Sequence, residues 1–367
     1  MHLHIIGGFL GSGKTTSIIG AAKYLAGQGI RVGVITNDQG RHLVDTTIIR
    51  SQDLPAMEVT GGCFCCNFND LNQCLQQLLD DHQTQVIFAE SVGSCADVVA
   101  TVVKPLLELE IGAVKPNSFS VFTDIRLLRR LLLGLEMPFS EDVNYIFTKQ
   151  IEEAGLLIIN KADLFSSQEV DQVLQLARNN YRDKPVVVQN SLDESDIEKW
   201  VDALQIDKYP LPVRSLELDY ARYAAGESRM VWIDRVYALS AEPQEMPSLL
   251  MDIITSWQNA IIEQNLDAGH VKVILRADGV GLKLSLAQVE PGKNPEFADF
   301  IEKKDRFQKD QVEILLNVLV EGNLEHVTSV MENVITNEVA KHEAGLQMRQ
   351  SFNRRPGYPK PTYRILD

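Results

Sequence analysis

Gly8-Phe9-Leu10-Gly11-Ser12-Gly13-Lys14-Thr15 is the stretch that decides how this chain is read. It satisfies the pattern GxxxxGK[ST], follows the apolar residues 3–6 and opens a helical pattern over residues 14–27 that Gly27 and Gly29 close. Strand, glycine-rich loop and helix in this order are the context in which the pattern cradles phosphate. The glycines let the amides of Gly8, Gly11, Ser12 and Gly13 curl around phosphate oxygens at the positive end of the helix dipole. Lys14 then reaches the β- and γ-phosphates, and the Thr15 hydroxyl supplies a ligand to Mg2+. Thr16 stands beside them in the first helical turn as a further nucleotide-binding candidate.

Outward from this loop, apolar runs at residues 31–36, 85–89, 119–122, 156–159 and 185–188 alternate with helical patterns, among them an amphipathic one over residues 70–81. Such alternation predicts an α/β fold built on a doubly wound parallel sheet. Ligands of these sheets bind beyond the carboxyl ends of the strands. Asn160-Lys161-Ala162-Asp163 follows the run at 156–159 and therefore falls at such an end. A carboxylate at Asp163 accepts from both N1–H and the 2-amino group of guanine, whereas adenine lacks that donor pair and leaves the acceptor unpaired. Asn160, Lys161 and Asp163 are read as the base site, and GTP as the nucleotide.

The 367 residues give room for two domains, each with its own core. A formal net charge of -15, with 45% hydrophobic and 23% charged residues, describes an acidic globular protein and speaks against nucleic acid as a partner. The most apolar internal stretch, residues 127–135, is interrupted by Arg129 and Arg130 and falls short of the roughly 20 residues that span a bilayer. No membrane anchor is expected. Residues 1–8 carry no basic segment ahead of a long apolar run, so a cleaved secretory signal is not expected and the chain is assigned to the cytoplasm.

Residues 1–205 are read as the P-loop domain, and 206–229, with Pro210, Pro212 and Gly226, as a linker. A second, smaller α+β domain is expected over 230–346. Its elements are a strand at 231–240, a helix at 247–266, a hairpin at 271–286 turning near Asp278-Gly279, a strand at 311–320 and a helix at 324–342. The charged residues 291–310 read as a solvated excursion, and 347–367 as a basic, proline-bearing tail that ends in solvent.

All five cysteines lie between Cys63 and Cys95. In a reducing compartment such crowding points to a metal site or reactive thiols rather than to disulfides. Cys63, Cys65 and Cys66 form a soft donor set suited to Zn2+, Co2+ or Cu+ and ill suited to Mg2+ or Ca2+. Their spacing is not the paired spacing of a closed zinc finger, which predicts an exchangeable site with an outside or mobile fourth ligand. Cys95 and His42 are the candidates for that ligand, while Cys74 reads as the buried face of a helix.

Further segments complete a pattern: Asn37-Asp38-Gln39-Gly40 with Asp45, then Gly61-Gly62-Cys63-Phe64-Cys65-Cys66, then Glu90-Ser91-Val92-Gly93, then residues 150–163. Together with the P-loop they resemble the CobW-type GTPases over residues 1–165. That family orders an NEFG-like loop with a following Asp, a GCxCC motif, an ExxG strand end and NKxD in the same way. This chain departs from it in carrying Asp38 and Gln39 where the family has Glu and Phe, and no proline after Asp97. The resemblance implies a P-loop GTPase that handles a transition metal, zinc or cobalt, and supplies it to a client metalloenzyme or to a metal-cofactor pathway such as that of cobalamin.

It further implies that Lys14, Asp45 and Glu90 serve hydrolysis, that Thr15, Asp45 and Glu90 hold Mg2+ and its waters, and that Gly93 senses the γ-phosphate. Glu90 ends an apolar strand, and a buried acid there needs a cation or donors. Because the loops bearing Asp45 and the cysteines lie between the P-loop and Gly93, nucleotide state is expected to couple to metal affinity. The alternative is a regulatory GTPase that gates or repairs a metalloenzyme without carrying metal. The C-terminal half offers no motif, and the oligomeric state stays open.

Overall fold

In the computed structural model, which describes residues 2–38, 49–50, 52, 54–109, 114–205, 211–286 and 296–367, the apolar run ahead of the P-loop forms β1 (His2–Gly8). Parallel neighbours flank β1 on both sides, β4 (Val86–Glu90) and β5 (Pro116–Asp124). The full sheet has seven strands in the order β3-β2-β4-β1-β5-β6-β7, with β2 Val32–Asp38, β3 Ala56–Thr60, β6 Leu156–Asn160 and β7 Val186–Val188. Every pairing is parallel. Strands buried on both faces read as continuous Val/Ile/Leu runs, which is why the five inner strands stand out in the sequence, and the edge strand β7 stands out through its run of three valines although only Val186 is buried. The seventh, β3, does not, because this short edge strand carries Glu58 and is buried only at Ala56 and Val59.

Helices fill the crossovers: α1 (Lys14–Gly27), α2 (Phe68–His82), α3 (Lys104–Glu108, entered through a π-helical turn at Val99–Val103), α4 (Ile125–Leu133), α5 (Glu141–Glu153), α6 (Ser167–Asn180) and α7 (Glu194–Gln205). Local signals set their ends; α6, for instance, starts in a capping box between Ser166 and Glu169. Trp200 of α7 is fully buried, its ring 5.1 Å from Phe122 and 5.9 Å from Phe88. It thereby packs the strands on either side of β1 from beneath. The strand order reverses direction at β1, so the crevice at the carboxyl end of β1 is the topological switch point where ligands of such sheets bind.

The chain divides into two units. One holds the described residues up to Gly226 together with Tyr358–Asp367, and the other holds Glu227–Gly357. The stretch read as a linker is not irregular throughout: α8 (Tyr220–Arg229) occupies its second half, and Tyr223 is buried against Ala96 and Ile146. Pro210, Pro212 and Gly226 outweighed, in the sequence reading, the three-residue spacing of Tyr220 and Tyr223 that gives this helix its packed face.

The second unit is an antiparallel sheet in the order β10-β9-β11-β8-β12, with β8 Met230–Ser240, β9 Asp267–Ala277, β10 Val280–Ser285, β11 Gln311–Glu321 and β12 Gly345–Arg354. Helices α9 (Met246–Glu263), α10 (Glu296–Lys303) and α11 (Leu324–Lys341) complete it around a core containing Trp257, Phe300, Phe307 and Met331. Two expectations are corrected here. The excursion at 291–310 contains Phe300 and Phe307, both fully buried, so its second half is part of the core. The residues read as a tail begin inside β12, an exposed edge strand of mostly polar residues paired with β8, and finish by packing into the first unit. Among the described residues no helix is long and apolar enough to cross a membrane.

Candidate functional site

The P-loop leaves β1 and turns into α1 at Gly13, whose φ of 91° lies in the left-handed region that favours glycine. A Cβ there would come within 2.2 Å of Asn160 Nδ2, so the loop and the Asn160 segment close on one another only because residue 13 is glycine. Lys14 is buried, and its Nζ donates to Gly8 O at 2.9 Å and Phe9 O at 3.2 Å, which sets its charge inside the loop. Gly11 and Thr16 are half-buried at the rim. The Ser12 hydroxyl is buried without a hydrogen-bond partner, as is that of Ser91 next to Glu90. Buried hydroxyls left unpaired are costly, and this pair suits a site completed by phosphate oxygens and the waters of a cation.

Thr15 and Glu90, from separate segments, meet directly. Thr15 Oγ1 lies 3.0 and 2.9 Å from the two Glu90 carboxylate oxygens, and both residues are buried. A hydroxyl and a carboxylate converging at a helix N-terminus form a hard oxygen pair of the type that takes Mg2+. Asp45, the third residue expected there, lies outside the described residues, as do Gln39, Gly40 and His42.

Asn160 ties the segment read as the base site to the phosphate loop. Its Nδ2 donates to Ser12 O at 2.7 Å, while its Oδ1 accepts from Ser191 N at 3.1 Å and Ser191 Oγ at 2.7 Å. Lys161 sits at φ 64° and pairs with Asp124 Oδ2 at 3.1 Å. Burial works against the Asp124 charge, but Lys161 and Arg126 prevail and hold its carboxyl down at about 2. Asp163 lies in a one-turn 3-10 helix, Ala162–Leu164, and is exposed. The sequence reading missed Asp124 and Ser191. Asp124 is the last residue of β5, as Glu90 is of β4 and Asn160 of β6, and Ser191 follows β7 by three residues, so a polar residue at a strand's carboxyl end is the signal for Asp124 alone.

The thiolate loop is organised by Asn37 at the end of β2. Its Nδ2 donates to Val59 O at 3.0 Å and Gly62 O at 2.7 Å, and its Oδ1 accepts from Phe64 N at 2.8 Å. Cys66 N and Asn67 N then bond to Cys63 O at 3.0 and 2.9 Å, winding the loop into α2. The three sulfurs converge as a result: Cys63–Cys65 2.7 Å, Cys63–Cys66 3.3 Å and Cys65–Cys66 3.9 Å. Hydrogen bonds from Cys65, Cys66 and Cys95 draw the Cys63 thiol well below its usual range, and the same contacts push Cys65 up. Among the described residues these three cysteines are the one group of three or more His, Cys, Asp or Glu side chains close enough together to hold a metal ion, and none of the five cysteines is in a disulfide. Cys74 lies on the buried side of α2, where burial pushes its thiol up to about 11.

The chain's last residues cross this loop. Thr362 donates through its amide to Cys65 O and through Oγ1 to Cys66 O, each at 2.8 Å, and Tyr363 packs edge-on to Phe68 at 5.3 Å. Arg364 Nε bonds Asp97 Oδ2 at 2.7 Å while its guanidinium lies 4.6 Å over the Tyr220 ring. Ile365 N bonds Ala100 O at 2.9 Å, and Asp367 pairs with the buried Lys104. The expectation of a solvated end is therefore corrected: residues 362–367 form a strap fixed to the thiolate loop and to the segment after Gly93. Their mostly polar composition concealed it, since the hydrogen bonds that hold them run to main chain nearly three hundred residues away.

Fold and cradle together define a P-loop nucleotide-binding protein. The chain belongs to the CobW/HypB/UreG nucleotide-binding-domain family, whose model matches residues 2–188, just over half of its length. It is similar to the zinc chaperone YeiR of Escherichia coli, 28% identical over 174 residues that make up 47% of this chain and 49% of that protein. It is also similar to the zinc chaperone CobW of a Sinorhizobium species, 26% identical over 209 residues, 50% of this chain and 57% of that one. The chain thus spans about half the length of the curated relatives it matches. Among solved structures, HypB from Helicobacter pylori in complex with nickel is 18% identical with a TM-score of 0.40, covering 57% of this chain and 87% of that one. Zn(II)-bound YjiA GTPase from E. coli is 14% identical with a TM-score of 0.38, covering 91% and 98%.

Proposed function

We propose that this protein is a GTP-hydrolysing metallochaperone of the cytoplasm, which binds Mg2+ and GTP at the P-loop and a transition metal, zinc or cobalt, at Cys63, Cys65 and Cys66, and passes that metal to a client metalloenzyme or a cobalamin-type cofactor pathway. The observation that carries the reading is the convergence of three buried or half-buried sulfurs within 4.8 Å in the same unit as the phosphate cradle. Gly8, Gly11, Ser12, Gly13 and Thr16 line the phosphates, Lys14 neutralises them, Thr15 and Glu90 with Asp45 take Mg2+, and Asn160, Lys161 and Asp163 take guanine. Sulfur donors take the softer cargo metal and oxygen donors the Mg2+, so the two cations separate by chemistry.

Nucleotide state and metal affinity are coupled through Gly93, which packs against Leu10 of the P-loop and precedes Cys95 by two residues. The test is to purify the reduced full-length protein, load it with Zn2+ or Co2+, and measure metal stoichiometry and GTPase rate together. One metal per chain, lost when Cys63, Cys65 and Cys66 are all replaced by Ser, supports the reading. Unchanged stoichiometry in that variant refutes it, and retained partner activation without metal would point to a regulatory GTPase.

A further inference from the structure

Cys95 is the one cysteine near the loop sulfurs that comes from another segment, and it is buried at 4% exposure. Its thiol is a hydrogen-bond partner of both Cys63 and Cys65, yet it stands outside the 4.8 Å group that the loop sulfurs form among themselves. The segment that carries it is short and tightly held. Cys95 N bonds Val92 O at 3.0 Å, and a single side chain, the buried Gln150, donates to both Gly93 O at 3.0 Å and Cys95 O at 2.8 Å. Gly93 in turn lies flat against the P-loop: a Cβ on it would come within 2.5 Å of Leu10 Cδ2 and 3.1 Å of Leu10 N. Any displacement of Gly93 at the phosphate cradle therefore carries Cys95 with it.

Tetrahedral geometry sets a second constraint. With metal–sulfur bonds of about 2.3 Å, the sulfurs of such a site stand about 3.8 Å apart. Cys65 and Cys66 already meet this spacing at 3.9 Å, while the Cys63 contacts of 2.7 and 3.3 Å open outward by about 1 Å and about half an ångström. Three loop sulfurs leave one corner of the tetrahedron open, and the nearest sulfur to it is that of Cys95.

We propose that Cys95 is the fourth ligand of the thiolate site, and that the Gly93–Cys95 turn engages or withdraws it according to the nucleotide bound, so that the metal alternates between four-sulfur and three-sulfur coordination. This deepens the metal-carrying reading above and rests on it. Withdrawal of one thiolate opens a position for a client's ligand at the moment of transfer. Gln150, absent from the sequence-based site, acts as the positioning residue that makes Gly93 and Cys95 move as one.

The test uses Co2+ alone as the probe, because the intensity of its sulfur-to-cobalt charge-transfer band rises with the number of bound thiolates. Reduced full-length protein is titrated with Co2+ in the presence of Mg2+ and either a non-hydrolysable GTP analogue or GDP, for the wild type and for Cys95→Ser, with circular dichroism checking that the variant is folded. In the wild type, the intensity per bound cobalt differs between the two nucleotides by about one quarter, the step from four sulfurs to three. Cys95→Ser still binds one cobalt per chain, but stays at the lower intensity with either nucleotide. A Cys95→Ser protein whose spectra and nucleotide response match the wild type overturns the proposal while leaving the metal reading intact. A wild type that binds no cobalt, or a Cys63→Ser variant that binds it as well as the wild type, overturns both. Cys95→Ala, which cannot ligate through oxygen, is expected to repeat the serine result.

Discussion

Replacing Arg364 with Ala removes the charged partner of a carboxylate that has no access to solvent. Asp97 is 0% exposed and holds a left-handed φ of 67°, and Arg364 Nε reaches its Oδ2 at 2.7 Å. Without Arg364, the same oxygen keeps the Tyr220 hydroxyl at 2.6 Å, and Oδ1 has no hydrogen-bond partner. Breaking a buried pair by deleting one member costs about 3–5 kcal/mol. Arg364 is 29% exposed, so water enters the space it leaves and reduces that penalty. The lost cation–π contact with Tyr220 adds about 0.5–1 kcal/mol in the other direction, for a net destabilisation of the strap of about 2–3 kcal/mol.

Hydrogen exchange of the Thr362 and Ile365 amides, bonded to Cys65 O and Ala100 O, reads that opening directly. Their exchange accelerates roughly 30- to 160-fold in Arg364→Ala. Adding Asp97→Asn, a residue that tolerates the left-handed backbone, removes the orphaned charge and restores part of the protection. Exchange in Arg364→Ala within threefold of wild type would refute the assignment of this ion pair as the strap's anchor.

Glu90→Ala is expected to slow GTP turnover roughly 100-fold while leaving the melting temperature nearly unchanged, because its carboxylate serves a cation rather than the core; unchanged hydrolysis would remove Glu90 from the site. Asp163→Ala loses the charge-assisted bonds to guanine, so GTP binds roughly 10- to 150-fold more weakly while ATP affinity is unaltered, which competition binding with both nucleotides would check. Glu153 yields a pH dependence: burial, with a contribution from nearby Asp97, pushes its carboxyl up from 4.5 to about 8. A folded-state pKa above the unfolded one contributes stability that is complete below pH 4.5 and is lost as pH rises through about 8, a change of roughly 4–5 kcal/mol. Glu153→Gln removes that slope, so the variant gains on the wild type between pH 5 and pH 8.5, and parallel stability profiles would contradict the assignment.

Features with local causes were legible in the sequence. The P-loop, the five inner strands and the NKxD segment each declare themselves through a run of neighbouring residues, since glycine turns and doubly buried strands leave a contiguous pattern, and the edge strand β7 shows through its three valines. The cysteine cluster was legible for the same reason. What escaped depends on partners distant along the chain. Strands β3 and β12 are sheet edges with one open flank, so neither shows a continuous apolar run. Asp124, Gln150 and Ser191 are single polar residues whose roles arise from the backbone groups that folding brings to them. The strap at 362–367 has a composition suited to solvent, and only its hydrogen bonds to Cys65, Cys66 and Ala100 give it a place.

Nucleotide-linked metal affinity is the central claim, and one competition experiment tests it most directly. Zn2+ is titrated against a chelator of known affinity with the reduced full-length protein, once with Mg2+ and a non-hydrolysable GTP analogue and once with Mg2+ and GDP. Coupling through Gly93 and Cys95 requires zinc affinities that differ between the two states by roughly 5- to 150-fold, with the preference for GTP over GDP shifting by the same factor when zinc is bound. Equal zinc affinities in the two nucleotide states would contradict it.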